Sequence, residues 1–483
     1  MGLTADWETK KLPEVCEILD THREPINNKE RNNRIEGKAE DELFPYFGAT
    51  GQVGLIDDYL LDGEYVLLGE DGAPFLEAFK SPAYLVSGKI WVNNHAHVLK
   101  ANKSNKFLLY YLSQIDYRDY VSGTTRLKLT QTSMKNIEVP DPPLSTQHRI
   151  VEKIEELFSE LDNGVENLKK ALQQLKTYRQ AVLKDAFEGK LTKEWRALRQ
   201  AQDADDLPAP EELLEQIKAE RNAHRERELA EWEKEVEKWE KDGEPGRKPR
   251  KPRKQKDLDP IKQKELDKLS NLPSEWIWIK FGEVFKDSPQ NGLYKPKSDY
   301  GSGHEIVRID NFYNGKMTGK LKKVNLSEDE ISKYRIKTNN LLINRVNSLP
   351  YLGKCGLVTK KYSSSVFESN VMKVDLIEKI VVPKLIAHYL SSQTGTTQIR
   401  KNAKHAVNQA SINQTDVANT LIPLTSVQEQ RQILNEIESR LSVVDQLEQT
   451  IKENLQKAEA LRQSILKKAF SGELVKSRVG EAV

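Results

Sequence analysis

Amide, hydroxyl, imidazole and basic side chains gather in a few short segments of this chain. In the first half these are the glycine-punctuated loop Tyr46–Gly54, carrying Thr50 and Gln52, the loop Gly69-Glu-Asp-Gly72, the run Asn93-Asn94-His95-Ala-His97, and the segment Ser122–Gln131, carrying Thr125, Arg126, Lys128 and Gln131. In the second half they are Arg308 with Asn311, the run Asn344-Arg345-Val-Asn347-Ser348, Gly353-Lys354, and Lys404, Asn408 and Gln409 within 401–411. Asparagine and glutamine amides pair bidentately with adenine and arginine with guanine, so such groups at strand ends suit the reading of base edges. Lysine and arginine also neutralise phosphates whatever the sequence. Each has a blander reading: His95 and His97 as parts of a satisfied turn or core network, Arg345 as a solvated surface arginine. Catalytic chemistry is not signalled. There is no Gly-x-Gly-x-x-Gly, no phosphate loop of the form Gly-x-x-x-x-Gly-Lys-Ser/Thr and no Asn-Pro-Pro-aromatic tetrapeptide for holding a flipped base. The expectation is no catalytic residue, no cofactor site and no metal site, since His95 and His97 lack further ligands nearby.

The elements that must position these groups are repeated. Residues 147–193 lie over 430–476 without a gap, with Asp162/Asp445, Arg179/Arg462, Phe187/Phe470 and Gly189/Gly472 among the identities. Chance similarity between two amphipathic helices would match apolar positions only. Here Asp, Arg, Phe and Gly match too, which indicates internal pseudo-twofold symmetry, and a two-fold protein commonly faces a two-part target on DNA. Ile150, Ile154, Phe158, Leu161, Leu168, Leu172, Leu175 and Phe187 form one apolar stripe, and Ile433, Ile437, Leu441, Val444, Ile451, Leu455, Leu461 and Phe470 the other. Both stretches open after a proline, where Ser or Thr can cap the free amides, and both close at Ala-Phe-x-Gly, where glycine can take a left-handed cap. Each predicts a helix of about 40 residues, roughly 60 Å. A stripe that long needs a partner. The linked second copy has the highest effective concentration, so the expectation is an intramolecular antiparallel pair, with the two globular blocks at its opposite ends.

The blocks ahead of the helices mix short strands (64–68, 89–92, 305–309, 340–344) with short helices (106–112, 382–390), an α+β pattern. Their opening segments correspond, Trp7 with Lys11-Leu-Pro-Glu against Trp276 with Lys280-Phe-Gly-Glu, whereas their middles do not align. Shared scaffolds with divergent loops suit modules that recognise different things. Between them, 196–272 reads as a charged helical insert followed by the basic run Gly246–Lys256, whose prolines forbid helix. That run reads as a soluble linker, with phosphate contact as the alternative.

A chain of 483 residues is too long for one core. Its net charge of +2 means that any affinity for nucleic acid must come from local basic surfaces. Two separated cysteines, a start without an apolar leader and no long apolar run point to a reducing cytoplasm and no membrane.

Two variable α+β blocks, each followed by a helix ending Arg-Gln-x-x-Leu-Lys-x-Ala-Phe-x-Gly-x-Leu, resemble the specificity (S) subunit of type I restriction-modification systems. Leu191-Thr-Lys-Glu-Trp-Arg196, Leu214–Arg221 and the Asn-Arg-x-Asn of 344–347 also resemble that family. The resemblance implies an α+β fold with target-recognition domains at 1–140 and 273–421, spacer helices at 141–195 and 422–475, an insert at 196–272 and a tail at 476–483. The spacer helices would pair as an antiparallel coiled coil and dock partner subunits. It further implies a non-catalytic subunit that recognises a bipartite duplex target, with two methyltransferase subunits using S-adenosylmethionine. Restriction subunits using ATP and Mg would complete the assembly. The charged insert departs from that pattern. The alternative is a coiled-coil scaffold whose end domains bind protein partners, and a nuclease is a third reading.

Overall fold

The computed structural model describes residues 7–202, 207–244, 246–252, 255, 257–407 and 409–474. The chain divides into two compact units, residues up to 172 with those from 448 on, and residues 173–447. The boundary cuts both long helices, Leu144–Phe187 and Val427–Phe470, each 44 residues.

In the first unit, strand Thr9–Lys11 pairs antiparallel with Glu138–Pro140, the strand that leads into the first long helix. A six-stranded sheet runs in the order Cys16–Ile18, Ala96–Ala101, Leu61–Gly69, Ala83–Val92, Phe44–Gly48, Gly51–Ile56. Its central strands are rich in Val, Leu and Ile, as strands buried on both faces require, and Val66, Leu67, Leu68, Val98 and Leu99 are fully buried. Helix Asn105–Leu112 is capped by Ser104, whose side chain accepts from the Phe107 amide. It delivers Phe107 and Tyr111 to Phe470, with ring centroids 5.2 Å apart in each case.

The second unit repeats this plan. Strand Ile277–Lys280 pairs with Leu421–Leu424, which leads into the second long helix. A six-stranded sheet runs Gln290–Asn291, Val371–Val374, Leu341–Asn344, Cys355–Leu357, Gly315–Met317, Phe312–Tyr313. Helix Pro383–Ser391 presents Tyr389 to Phe187, centroids 5.0 Å apart. The strands and helices expected in both blocks are present: those of the first block are longer than expected, while in the second Tyr300–Val307 starts and ends earlier, Leu341–Asn344 is one residue shorter and Pro383–Ser391 is shifted by one.

Within each unit the two long helices run antiparallel. In the first, Ile150, Ile154 and Phe158 pack with Ile465, Leu466, Ala469 and Phe470. In the second, Val182, Leu183, Ala186 and Phe187 share a core with Ile433, Ile437 and Leu441. The matching Asp and Arg residues of the repeat explain themselves here. Arg462 pairs with Asp162 in one unit, and Arg179 Nη2 lies 2.5 Å from Asp445 Oδ1 in the other, the same pair with the copies exchanged. Both helices close as expected on a left-handed glycine, Gly189 at φ +71° and Gly472 at φ +81°. Lys190 N donates to Asp185 O and Glu473 N to Lys468 O beside them.

Two expectations are corrected. The first long helix begins at Leu144, so Ser145 and Thr146 lie inside its first turn rather than capping it, whereas Ser426 does accept from the Glu429 amide. Leu461 is 51% exposed and takes no part in the helix–helix core, although Ala458 and Ile465, one turn to either side of it, are buried.

The insert is ordered against the second block. Helix Pro210–Lys241 buries Leu213 and Ile217 in that block's core and ties Arg221 to Glu283. The described part of the basic run folds back along this helix. Trp232 Nε1 donates to Pro249 O, Arg225 to Pro252 O, and Lys251 and Lys248 stand over the rings of Trp232 and Trp239. An extended proline-spaced strand cannot satisfy its own carbonyls, and the helix side chains supply the donors.

Candidate nucleic-acid interface

In the first unit four separated segments come together at one edge of the block. The hairpin tip at 48–51, the turn Gly69–Gly72, the tight turn at Asn93–His95 and the hairpin 122–128 are joined by short contacts. Glu70 N donates to His95 O, Leu129 N to Glu70 O, Gly72 N to Leu127 O and Asn93 N to Phe47 O. A Cβ at Gly69 would lie 2.8 Å from Ala49 O and closer still to the Ala73 side chain, so only glycine allows the two turns to approach. Arg126 Nη2 lies 2.8 Å from Asp71 Oδ1, and Lys128 Nζ 3.2 Å from Glu70 Oε1. Arg23 Nη1 is 2.7 Å from Glu70 Oε2. His95 Nδ1 is 2.8 Å from Asp71 Oδ1 without hydrogen-bond geometry, so it joins that cluster as an ion pair only when protonated.

The candidates of this unit separate on exposure. Thr50, Gln52, Asn94, Thr125, Arg126 and Lys128 are exposed and His95 is half-buried at the same edge. Asn93 is buried, its Oδ1 accepting from the His95 amide 2.8 Å away, so it shapes the turn and is not placed to read bases. Gln131 donates to Asp20 Oδ2 and is half-buried. His97 is fully buried between Asp20 and Leu129 O, the core-network reading. Burial pushes the Asp20 carboxyl up, but the His97 bond, the Val98 amide and Arg23 outweigh it and hold the group below its ordinary range.

In the second unit Val346–Asn347, Gln409–Ser411 and Lys404–Ala406 form a three-stranded antiparallel sheet, which brings together Asn347, Lys404 and Gln409. Asn408 lies outside the described residues. The turn Glu368–Asn370 links two more candidates. Arg308 Nε is 3.1 Å from Glu368 Oε2, and Arg345 donates through Nη1 to Ser369 O while its Nε is buried without a partner. Two asparagines are corrected. Asn344 is fully buried with Nδ2 on Tyr351 O, and Asn311 is buried with its amide on Arg308 N and Lys320 O, so both build loops from within. Lys354 stands between two rings, 4.2 Å from the centroid of Tyr313 and 3.9 Å from that of Tyr351.

The loop Gly69–Gly72 stands out in the sequence, but nothing there gives its carboxylates Glu70 and Asp71 a role, and Tyr313 and Tyr351 around Lys354 do not stand out at all. Charge and aromaticity alone do not single them out; only the folded loops place them beside the basic groups. Elsewhere, His224, Glu228 and Asp287 bring three possible ligand atoms within 4.8 Å. His224 Nε2 hydrogen-bonds Asp287 at 3.1 Å, an ordinary His–carboxylate pair that suffices to explain the cluster.

Two α+β blocks, each with a loop edge carrying exposed amides and bases and each leading into one of two antiparallel helices, define a two-module nucleic-acid-binding chain. The family described as type I restriction modification DNA specificity domain matches residues 4–176 and again 273–457, and the chain belongs to it. The EcoBI specificity subunit of type I restriction enzyme from Escherichia coli is 25% identical over 98% of this chain and 87% of its own length. A putative type I restriction enzyme specificity subunit from Haemophilus influenzae is 35% identical over 32% of this chain, which spans only 38% of that relative. A solved chain, from work on complex assembly and conformational transition of the type I R-M system, has the same fold, with TM-score 0.58, 18% identity and coverage of 98% of this chain and 100% of its own.

Proposed function

We propose that each loop edge reads one half of a split duplex sequence. The chain is a DNA-specificity subunit of the type I restriction-modification kind and supplies recognition rather than catalysis. The observation that carries the bipartite reading is the duplication itself: the same scaffold twice, matched twice by one DNA-specificity family, with different loops at each reading edge. Nothing favours the scaffold alternative.

Recognition divides between two kinds of group. Arg126, Lys128 and Lys404 neutralise phosphates and set the register, while the exposed amides and hydroxyls of Thr50, Gln52, Asn94 and Gln409, with the half-buried amide of Asn347, meet base edges. Its partners are duplex DNA, methyltransferase subunits and restriction subunits, with two methyltransferase copies as the stoichiometry that the internal repeat supports. S-adenosylmethionine and ATP with Mg then act in those partners, the methyl group goes to adenine, and the cytoplasm is the compartment. No described helix is long and apolar enough to cross a membrane.

The test is a methylome. Co-expression with the cognate methyltransferase in a methylation-free host is expected to modify adenines within one split motif, two short half-sites around a fixed spacer. A stable complex that leaves the DNA unmodified, or that modifies a continuous motif, would sink the bipartite reading.

A further inference from the structure

Most half-buried cations of the second unit are matched to carboxylates: Arg179 to Asp445, Arg196 to Glu429, Arg221 to Glu283, Lys295 to Glu330 and Arg308 to Glu368. Arg225 and Arg345 bond backbone carbonyls instead, and Lys354 and Arg400 also fall outside the pattern. Both are half-buried, and among the described residues neither is paired with a carboxylate. They line one open cleft of about 170 Å³, together with Tyr313, Ser391, Gln393 and Thr396. Arg400 spends two donors on the loop, Nε on Leu352 O at 2.7 Å and Nη2 on Pro350 O at 3.1 Å. A guanidinium has five N–H groups, so three remain. The ammonium of Lys354 is held between two tyrosine rings that are themselves about half exposed.

Two like charges sharing a partly desolvated cleft repel each other and gain from an anion. Desolvation, with Arg400 adding to it, lowers the Lys354 pKa, as expected of a cation awaiting a counter-charge. The hydroxyls of Ser391 and Thr396 already donate to Ala387 O and Leu390 O, so the donors left for an anion are those of Lys354 and Arg400. The rim Pro350–Tyr351 follows Asn347 by a few residues along one loop, so the cleft adjoins the small sheet of the candidate reading edge. An arginine fork beside a lysine point charge fits a phosphate better than a lone surface cation would.

We propose that Lys354 and Arg400 form a phosphodiester-binding cleft that grips the DNA backbone beside the second half-site, independently of sequence. The inference rests on the DNA reading given above. Tyr313 and Tyr351 keep the ammonium in place and offer faces for the neighbouring sugar or base.

The experiment measures duplex affinity of the full chain against salt concentration for the wild type, Lys354→Met and Arg400→Gln, with Lys354→Arg and Arg400→Lys as charge-preserving controls. Each neutral variant is expected to flatten the slope of log K against log salt by about 1, equally for target and unrelated duplexes, and the controls to keep the wild-type slope. Arg400→Gln also removes bonds to two loop carbonyls, so Lys354→Met decides. A Lys354→Met slope that superimposes on the wild type overturns the cleft and leaves the DNA reading standing. So does a loss confined to one target sequence, which would make Lys354 a base reader. A wild type that retards no duplex overturns both. A second readout is acylation of Lys354 by an amine-reactive ester in the wild-type chain. Protection by duplex DNA supports the cleft; protection by inorganic phosphate alone would mark a free-anion site and, like no protection, overturn it.

Discussion

Asp71 and Glu70 stand where the basic groups of the first reading edge converge. In the free chain they neutralise Arg126, Lys128 and Arg23, so a phosphate that recruits Arg126 must displace a carboxylate already there. That exchange takes place near the surface, where an exposed ion pair is worth at most ~1 kcal/mol. Asp71→Asn is therefore expected to strengthen binding to any duplex by up to about 5-fold at low salt, by releasing Arg126. Arg126→Ala is expected to weaken binding and flatten the salt slope by about 1. Gel retardation across a salt series checks both; an Asp71→Asn variant that binds more weakly would make Asp71 itself a base reader. The same scale separates candidates that share a residue type. Asn94 is exposed and Asn93 buried, though they are neighbours in sequence, because alternation across the strand end turns one amide inward to hold the His95 amide.

At the scale of elements, the repeat's conserved-by-position charges hold the long helices in register, but unequally. Asp445 takes both Arg179, at 2.5 Å, and Lys316, at 2.7 Å, whereas Asp162 is matched to Arg462. Burial raises the Asp445 carboxyl, and the bonds from Lys316 and Arg179 more than offset it, leaving the group below its ordinary 3.8. A depressed folded-state pKa gives stability that is complete above the ordinary value and is lost as pH falls through the lower, folded value. Asp445→Asn is expected to cost about 1 kcal/mol at neutral pH and Asp162→Asn about half that, both discounted for exposure. The gap should close below the carboxylate range; thermal melts from neutral to strongly acid pH measure it. A gap that persists in acid would mean that Asp445 acts through packing.

On the scale of the whole molecule, each globular block is completed by the far repeat. Phe470, from the end of the second long helix, seats on Phe107 and Tyr111, and Phe187, from the end of the first, on Tyr389. Change in one helix must therefore be matched in the other. Removing one heptad from both, opposite each other, is expected to keep each half-site and alter only the spacer between them, as read by a methylome of the variant complex. An unchanged spacer would refute a ruler role for the helices.

The repeat, the two stripes, the glycine stops and the α+β blocks were legible from the chain alone, because helix periodicity and left-handed glycines are local properties that neighbouring residues impose. So was the antiparallel pairing, since two equal apolar stripes on one chain meet at high effective concentration. What the sequence could not settle was which polar groups face outward. Asn93, Asn311 and Asn344 turned inward, Leu461 outward, and Arg400 joined Lys354 from 46 residues away. Such facts depend on where distant loops meet and which carbonyls need donors, and only the closed tertiary structure decides them.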